Sequence, residues 1–315
     1  MGFELWSSSA WVEQATAWLD ERLAAAGIER TGPVEQPRVR PWSTQLTAPT
    51  TVGTVWLKAV NPPNAFEAGL YDVLHELIPH RVLEPIATDA ERGWMLLPDG
   101  GRTLAERDLA EDDLVKVLTE VIPRYGLLQR DLAPHVDRML AAGVTDMRPT
   151  VMPQRFEEAL AVVGGLPAVA AKSGEFADWC ARLALSPVPP SLDHNDLHVG
   201  NILLADLAEP DAVRFYDWGD AVVAHPFAAM FVPLKVLSDL LGKQTTGVLR
   251  VRDAYLEVFA DLGSRAELVA ELDLACRVAK VARTLVWARA VAVSPGDWAD
   301  APRETLMSLL AESYY

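Results

Sequence analysis

The stretch that decides the reading runs from Ser191 to Ala221, SLDHNDLHVGNILLADLAEPDAVRFYDWGDA. Its loop, His194-Asn195-Asp196-Leu197-His198-Val199-Gly200-Asn201, leads into a short apolar strand at Asn201–Leu204. A second strand at Val213–Tyr216 ends on Asp217. Asp196 and Asn201 stand five residues apart on a loop entering a strand, so both side chains can face one point, and Asp217 can approach from the paired strand. A carboxylate, an amide oxygen and a second carboxylate make a hard, oxygen-rich set suited to Mg²⁺, which keeps waters and phosphate oxygens in its other positions. A carboxylate left off the metal can orient a hydroxyl and accept its proton.

The pattern H-x-D-x-x-x-x-N with a downstream Asp is that of protein-kinase-like phosphotransferases. In detail it resembles the aminoglycoside phosphotransferase and choline kinase family, whose loop typically reads HGDLHPGN. Here Asn195 replaces the usual Gly and Val199 the usual Pro, while Asp217-Trp218-Gly219 occupies the metal-binding triplet. The resemblance implies an α+β, two-lobed protein-kinase-like fold with a small antiparallel-sheet lobe and a large, mostly helical one. It implies transfer of the γ-phosphoryl group of ATP to a hydroxyl of a small molecule such as an aminoglycoside, amino sugar or amino alcohol. Asn201 and Asp217 then hold Mg²⁺, and Asp196 is catalytic. His198, standing where many protein kinases carry a loop lysine, either donates to the transferring oxygens or packs the loop. His194 reads as a structural brace.

Working outward, apolar residues at Trp11, Val12, Ala15, Trp18, Leu19 and Leu23 have helical spacing after a Ser7–Ser9 cap, giving a leading helix over about 8–26. Strands are expected at 34–40, 43–48 and 52–59, a helix at 63–78, and two more strands at 82–87 and 94–97. This sets residues 1–99 apart as a nucleotide-binding lobe, with 100–315 a helical lobe carrying the catalytic loop and acceptor site. Helices are expected at 104–109, 111–130, 132–142, 153–164, 174–185, 227–241, 247–261, 264–292 and 300–313.

A kinase-like small lobe needs a strand lysine for the α- and β-phosphates and a helix glutamate to pair with it. The strand TVWLKAV offers Lys58 and the next helix offers Glu67; only 6 lysines accompany 22 arginines, so a chance placement is less expected. Taken alone, Lys58 would more often be a surface strand lysine laid over apolar neighbours. At the connector, Pro98 can accept through its carbonyl and Gly100 can donate to an adenine edge; backbone groups alone do not choose between ATP and GTP. The loop between the first two strands has no glycine, which leaves the Ser43 and Thr44 hydroxyls as phosphate contacts.

On the acceptor side, Asp220 is the acid expected to face an acceptor amine. Trp218, Trp287 and Trp298 form either a stacking wall or core; Arg283 and the Gly296–Pro302 loop are expected along the same cleft.

Two alternatives remain from the residues alone. His194, Asp196, His198 and Asp217 could form a metallohydrolase cluster, but that explains neither Asn201 nor Lys58 and Glu67. A nucleotide-binding pseudokinase is the other, although every catalytic position is filled. The 44 acids against 28 bases give a net charge of −16, which disfavours nucleic acid as a partner. Two cysteines outside any CxxC pattern, no leader-like N-terminus and no long apolar run point to a cytoplasmic chain with no membrane partner.

Overall fold

The computed structural model describes residues 5–292 and 296–311. Helix α1 (Ser9–Ala25) starts on Ser8, whose hydroxyl accepts from the Trp11 amide. Five strands follow around helix α2 (Phe66–Leu77): β1 (Glu35–Val39), β2 (Ser43–Thr50), β3 (Gly53–Val60), β4 (Ala87–Asp89) and β5 (Trp94–Pro98). They form one antiparallel sheet in the order β1-β2-β3-β5-β4.

The two-residue period of a strand decides what each face does. Leu57 and Ala59 on β3, with Trp94 and Leu96 on β5, turn towards α1 and pack on Trp11, Trp18 and Leu19. Both α1 tryptophans meet the Trp94 ring edge-on, at 5.9 and 5.6 Å between centroids. Met95 and Leu97 take the opposite face and join the core containing Leu70, Tyr71 and Leu74 of α2. Lys58, between Leu57 and Ala59, is thereby sent to the α2 side, where the cleft lies.

The rest of the chain is mainly helical: α3 (Glu111–Leu132), α4 (Val136–Ala141), α5 (Met152–Val162), α6 (Pro167–Ala170), α7 (Ser173–Leu183), α8 (Phe231–Leu241), α9 (Thr246–Glu257), α10 (Arg265–Val291) and α11 (Ala301–Met307). Short strands β6 (Thr145–Asp146), β7 (Ser191–Asp193) and β10 (Val222–Ala224) make a small sheet in the order β6-β10-β7. β8 (Ile202–Leu203) pairs antiparallel with β9 (Arg214–Phe215), as the loop reading expects. The fold is the two-lobed one of protein-kinase-like phosphotransferases. No helix among the described residues is long and apolar enough to cross a membrane.

Several expectations are corrected. No strand forms over 82–86: pairing begins at Ala87, and Val82 and Leu83 are buried in a loop whose Leu83 amide donates to the Tyr71 hydroxyl. Alternating apolar residues on a buried loop imitate a strand. The helix expected at 104–109 is a single 3₁₀ turn, Leu104–Glu106, closed by reciprocal bonds between Thr103 and Glu106. The helix expected at 300–313 ends as α11 plus a 3₁₀ turn at Ser308–Leu310, and residues 312–313 lie outside the described residues.

Candidate active site

Lys58 Nζ lies 2.6 Å from Glu67 Oε1 and 2.6 Å from Asp217 Oδ1. Three elements thus meet on one ammonium: β3, the first turn of α2 nine residues on, and the loop after β9, 159 residues away. Burial would pull the Lys58 ammonium down, but the Asp217 and Glu67 charges outweigh it and keep the amine charged. Burial would likewise raise Asp217, and Lys58 holds it below the ordinary carboxylate value instead.

Asp217 sits in the left-handed region at φ 65°, a conformation disfavoured for a non-glycine residue and kept only when its surroundings fix it. The next turn is held by two donors on one carbonyl: Asn64 Nδ2 and Arg289 Nη2 each reach the Gly219 oxygen at 2.8 Å. A Cβ at Gly219 would stand 3.1 Å from Glu67 Oε2, so the triplet ends in glycine because α2 packs directly on it.

The loop 194–201 is braced from beneath. His194 Nε2 donates to the Tyr216 carbonyl at 2.9 Å and its ring packs on Trp218, 4.7 Å between centroids. Burial lowers the His194 imidazole, which keeps it neutral. The departure at Asn195 has its own device. Asn195 takes φ 61°, which asparagine tolerates better than other side chains with a Cβ. The Asp193 carboxyl group accepts from the Asn195 amide at 2.7 Å and from its Nδ2 at 3.5 Å.

Asp196 carries three further contacts. Arg283 Nη2 reaches Oδ1 at 2.7 Å, while His198 Nε2 and Asn201 Nδ2 lie 3.4 and 3.5 Å from Oδ2. Burial alone would raise this carboxyl, but the His198 contact and the Arg283 charge together hold it well below its ordinary value. His198 Nδ1 accepts from the Gly200 amide at 2.9 Å, which leaves the Nε2 proton pointing at Asp196. Asn201 Nδ2 also donates to the Asp196 carbonyl at 2.9 Å, so the amide oxygen is the atom left for another partner. That oxygen and the Asp217 carboxylate are hard donors that fit Mg²⁺.

A cavity of about 410 Å³ runs under the sheet, lined by Trp56, Lys58, Leu83, Met95, Leu97, Pro98, Gly100 and Leu203 among others. It meets a second of about 300 Å³ that contains Ser43, Asp196, His198, Asn201, Asp217, Asp220 and Trp287. Lys58, Glu67, Tyr216, Asp217 and Arg38 line both. Among the described residues, the Gly100 amide makes no hydrogen bond within the chain. A Cβ there would meet Leu203 Cδ1 at 2.5 Å, which accounts for glycine at the cavity mouth.

Not every expected residue joins. Thr44 is corrected: its hydroxyl donates to the Arg38 carbonyl and accepts from Gln36, and the side chain is fully buried away from both cavities. Register explains it, because Gln45 stands opposite Lys58; residues 43 and 45 share the cleft face and 44 takes the other. Trp218 is core, fully buried against Tyr125 and His194. Trp298 lines neither cavity; it stacks on Trp287 at 5.3 Å and 14°. Asp220 lines the smaller cavity but is bound by Arg283 Nη1 at 2.9 Å, so it does not stand free for an amine. The hydrolase cluster does not form: His194 is committed to Tyr216 and Trp218, and no group of three or more His, Cys, Asp or Glu side chains among the described residues is placed to hold a metal.

Sequence reasoning missed Arg38, Trp42, Gln45 and Asn64, all of which line one cavity or both. Gln45 and Arg38 were reachable by counting in twos from Lys58 along paired strands. Asn64 carries no sequence signal.

A lysine–glutamate pair at a sheet–helix junction, facing an Asp/Asn loop across a two-part cavity, defines a protein-kinase-like phosphotransferase. Residues 50–229, more than half of the chain, match the model of the phosphotransferase enzyme family (APH), and the chain belongs to that family. No curated protein sequence matches it. Among solved structures, the fold is similar to an ethanolamine kinase from Plasmodium vivax, with TM-score 0.71, 10% identity, and 99% of this chain and 91% of that one covered. A macrolide 2'-phosphotransferase type I gives 0.59 and 17%, covering 95% and 97%. An amicoumacin kinase in complex with AMP-PNP, Ca²⁺ and Ami gives 0.57 and 12%, covering 96% of each chain.

Proposed function

We propose that this phosphotransferase moves the γ-phosphoryl group of ATP to a hydroxyl of a small molecule, with Mg²⁺ as the metal. The observation that carries the reading is the Lys58 ammonium held at 2.6 Å by both Glu67 and Asp217. A cation suited to phosphate beside a carboxylate suited to a metal is what this reading needs. The larger cavity takes the base and sugar, with Leu83, Met95, Leu97 and Leu203 against the ring and the Pro98 carbonyl and Gly100 amide at its edge. Lys58 clamps the α- and β-phosphates, and Ser43 supplies a hydroxyl from the neighbouring strand. Asn201 and Asp217 would hold Mg²⁺, which when bound neutralises charge on the phosphate oxygens.

Asp196 orients the acceptor hydroxyl. Its depressed carboxyl is ionised at any working pH, which makes it a hydrogen-bond acceptor and only a weak base. A loose transition state asks for no more than that, because the proton leaves late. His198, with Nε2–H towards Asp196, helps keep that carboxylate aimed. Positioning and electrostatics then supply most of the rate. The closest test is thermal stabilisation by AMP-PNP with Mg²⁺. The unsubstituted protein should gain stability only when both are present, and Asp217→Ala should lose the metal-dependent part. Stabilisation retained in Asp217→Ala removes that residue from the metal site.

A further inference from the structure

The acids of the smaller cavity are all spoken for within the chain. Glu67 and Asp217 share Lys58. Asp196 and Asp220, the two on the acceptor side, share the guanidinium of Arg283, at 2.7 and 2.9 Å. Arg283 belongs to α10 and is only 12% exposed. Its Nη1 also donates to the Asn195 carbonyl at 2.7 Å, and the guanidinium lies 5.0 Å from the Trp287 ring centroid, with Trp298 stacked on the same indole. Backbone, aromatic and two carboxylates thus fix it from several sides. A second cation stands close by: Arg289 is largely buried, its Nη2 on the Gly219 carbonyl and its guanidinium over Phe66. Arg289 adds positive potential at Asp220.

We propose that Arg283 sets the charge class of the acceptor: the hydroxyl that receives the phosphoryl group belongs to a compound with no ammonium beside it. This rests on the phosphotransfer reading of the cleft. An ammonium entering next to Asp196 must displace or sit against a fixed guanidinium, because no unpaired carboxylate is left to receive it. A neutral or carboxylate-bearing hydroxyl compound meets no such repulsion, and Arg283 can donate to it. The net charge of −16 therefore says nothing for a cationic substrate, since the acids nearest the reacting hydroxyl are neutralised locally.

The test uses two probes of one shape, choline and its uncharged isostere 3,3-dimethylbutan-1-ol, titrated by saturation-transfer NMR. The full chain, loaded with AMP-PNP and Mg²⁺, is compared with Arg283→Gln and Arg283→Lys. In the unsubstituted protein and in Arg283→Lys the neutral alcohol should bind more tightly than choline. In Arg283→Gln the ratio of the two affinities should shift towards choline by about tenfold, the effect of removing one unit charge a few ångströms away in a partly buried site. An unchanged ratio in Arg283→Gln, or choline preferred by the unsubstituted protein, overturns the proposal. Stabilisation by AMP-PNP with Mg²⁺, recorded on the same samples, reports the donor side separately. Its absence from the unsubstituted protein speaks against phosphotransfer, and the affinity ratio still judges Arg283 by itself.

Discussion

Asp193 is a carboxyl placed entirely inside the protein to hold one backbone conformation, and its protonation should therefore be visible in stability. It is fully buried beneath the 194–201 loop, and burial pushes its carboxyl up to about 7, against the opposing pull of the Asn195 amide and the Arg283 charge. The folded chain keeps this proton from about pH 4 to about pH 7, where the unfolded chain has released it. Stability from this group is thus complete below pH 4 and is lost as pH rises through 7. From an ordinary value of 3.8 to about 7, at about 1.4 kcal/mol per pH unit, the loss is at most about 4 kcal/mol. Asp193→Asn keeps an oxygen for the Asn195 amide and removes the titration. Urea unfolding of both proteins, followed by tryptophan fluorescence from pH 4 to pH 8, isolates the effect because every other group is shared. Relative to the unsubstituted protein, Asp193→Asn should gain a few kcal/mol across that range. A difference that stays flat with pH refutes the assignment of a protonated Asp193.

Two further outcomes follow from the same geometry. Lys58→Ala leaves Glu67 and Asp217 facing each other without their shared cation, so it should lower unfolding stability by about 3 kcal/mol in urea titrations; an unchanged midpoint shows that the pair is not buried as described. Gly100→Ala drives a methyl group into Leu203 at the mouth of the larger cavity, and should raise the nucleotide Kd about tenfold, read by titration with AMP-PNP; an unchanged Kd removes Gly100 from the nucleotide site.

The part of the site legible from sequence is the part that is local. Asp196 and Asn201 lie on one loop entering β8, and Asp217 follows β9, the strand paired with β8, so spacing alone brings them together. Lys58 is legible because its neighbours Leu57 and Ala59 are apolar and lysine is rare in this chain. What failed was long-range or face-dependent. β6, β7 and β10 have two or three residues each, and β10 pairs with strands about 30 and about 80 positions earlier in the chain, so no local period marks them. Thr44 was credited alongside Ser43 although adjacent strand residues take opposite faces. Arg283 lines the cleft as expected, but its bonds to Asp196 and Asp220, 87 and 63 residues away, leave no local mark in the sequence. Asn195 stands where the family's loop usually has Gly; the structure pairs it with Asp193, a compensation that only the folded loop exhibits.

Transfer of a labelled phosphoryl group tests the central claim most directly. The full chain is incubated with [γ-³²P]ATP, Mg²⁺ and a pooled extract of small hydroxyl metabolites, beside Asp196→Ala under the same conditions. The unsubstituted protein should move label into a small-molecule phosphomonoester, and Asp196→Ala should do so on the order of 10²–10⁴-fold more slowly while still binding AMP-PNP. Label appearing only as inorganic phosphate, or equal transfer by both proteins, contradicts hydroxyl phosphorylation directed by Asp196.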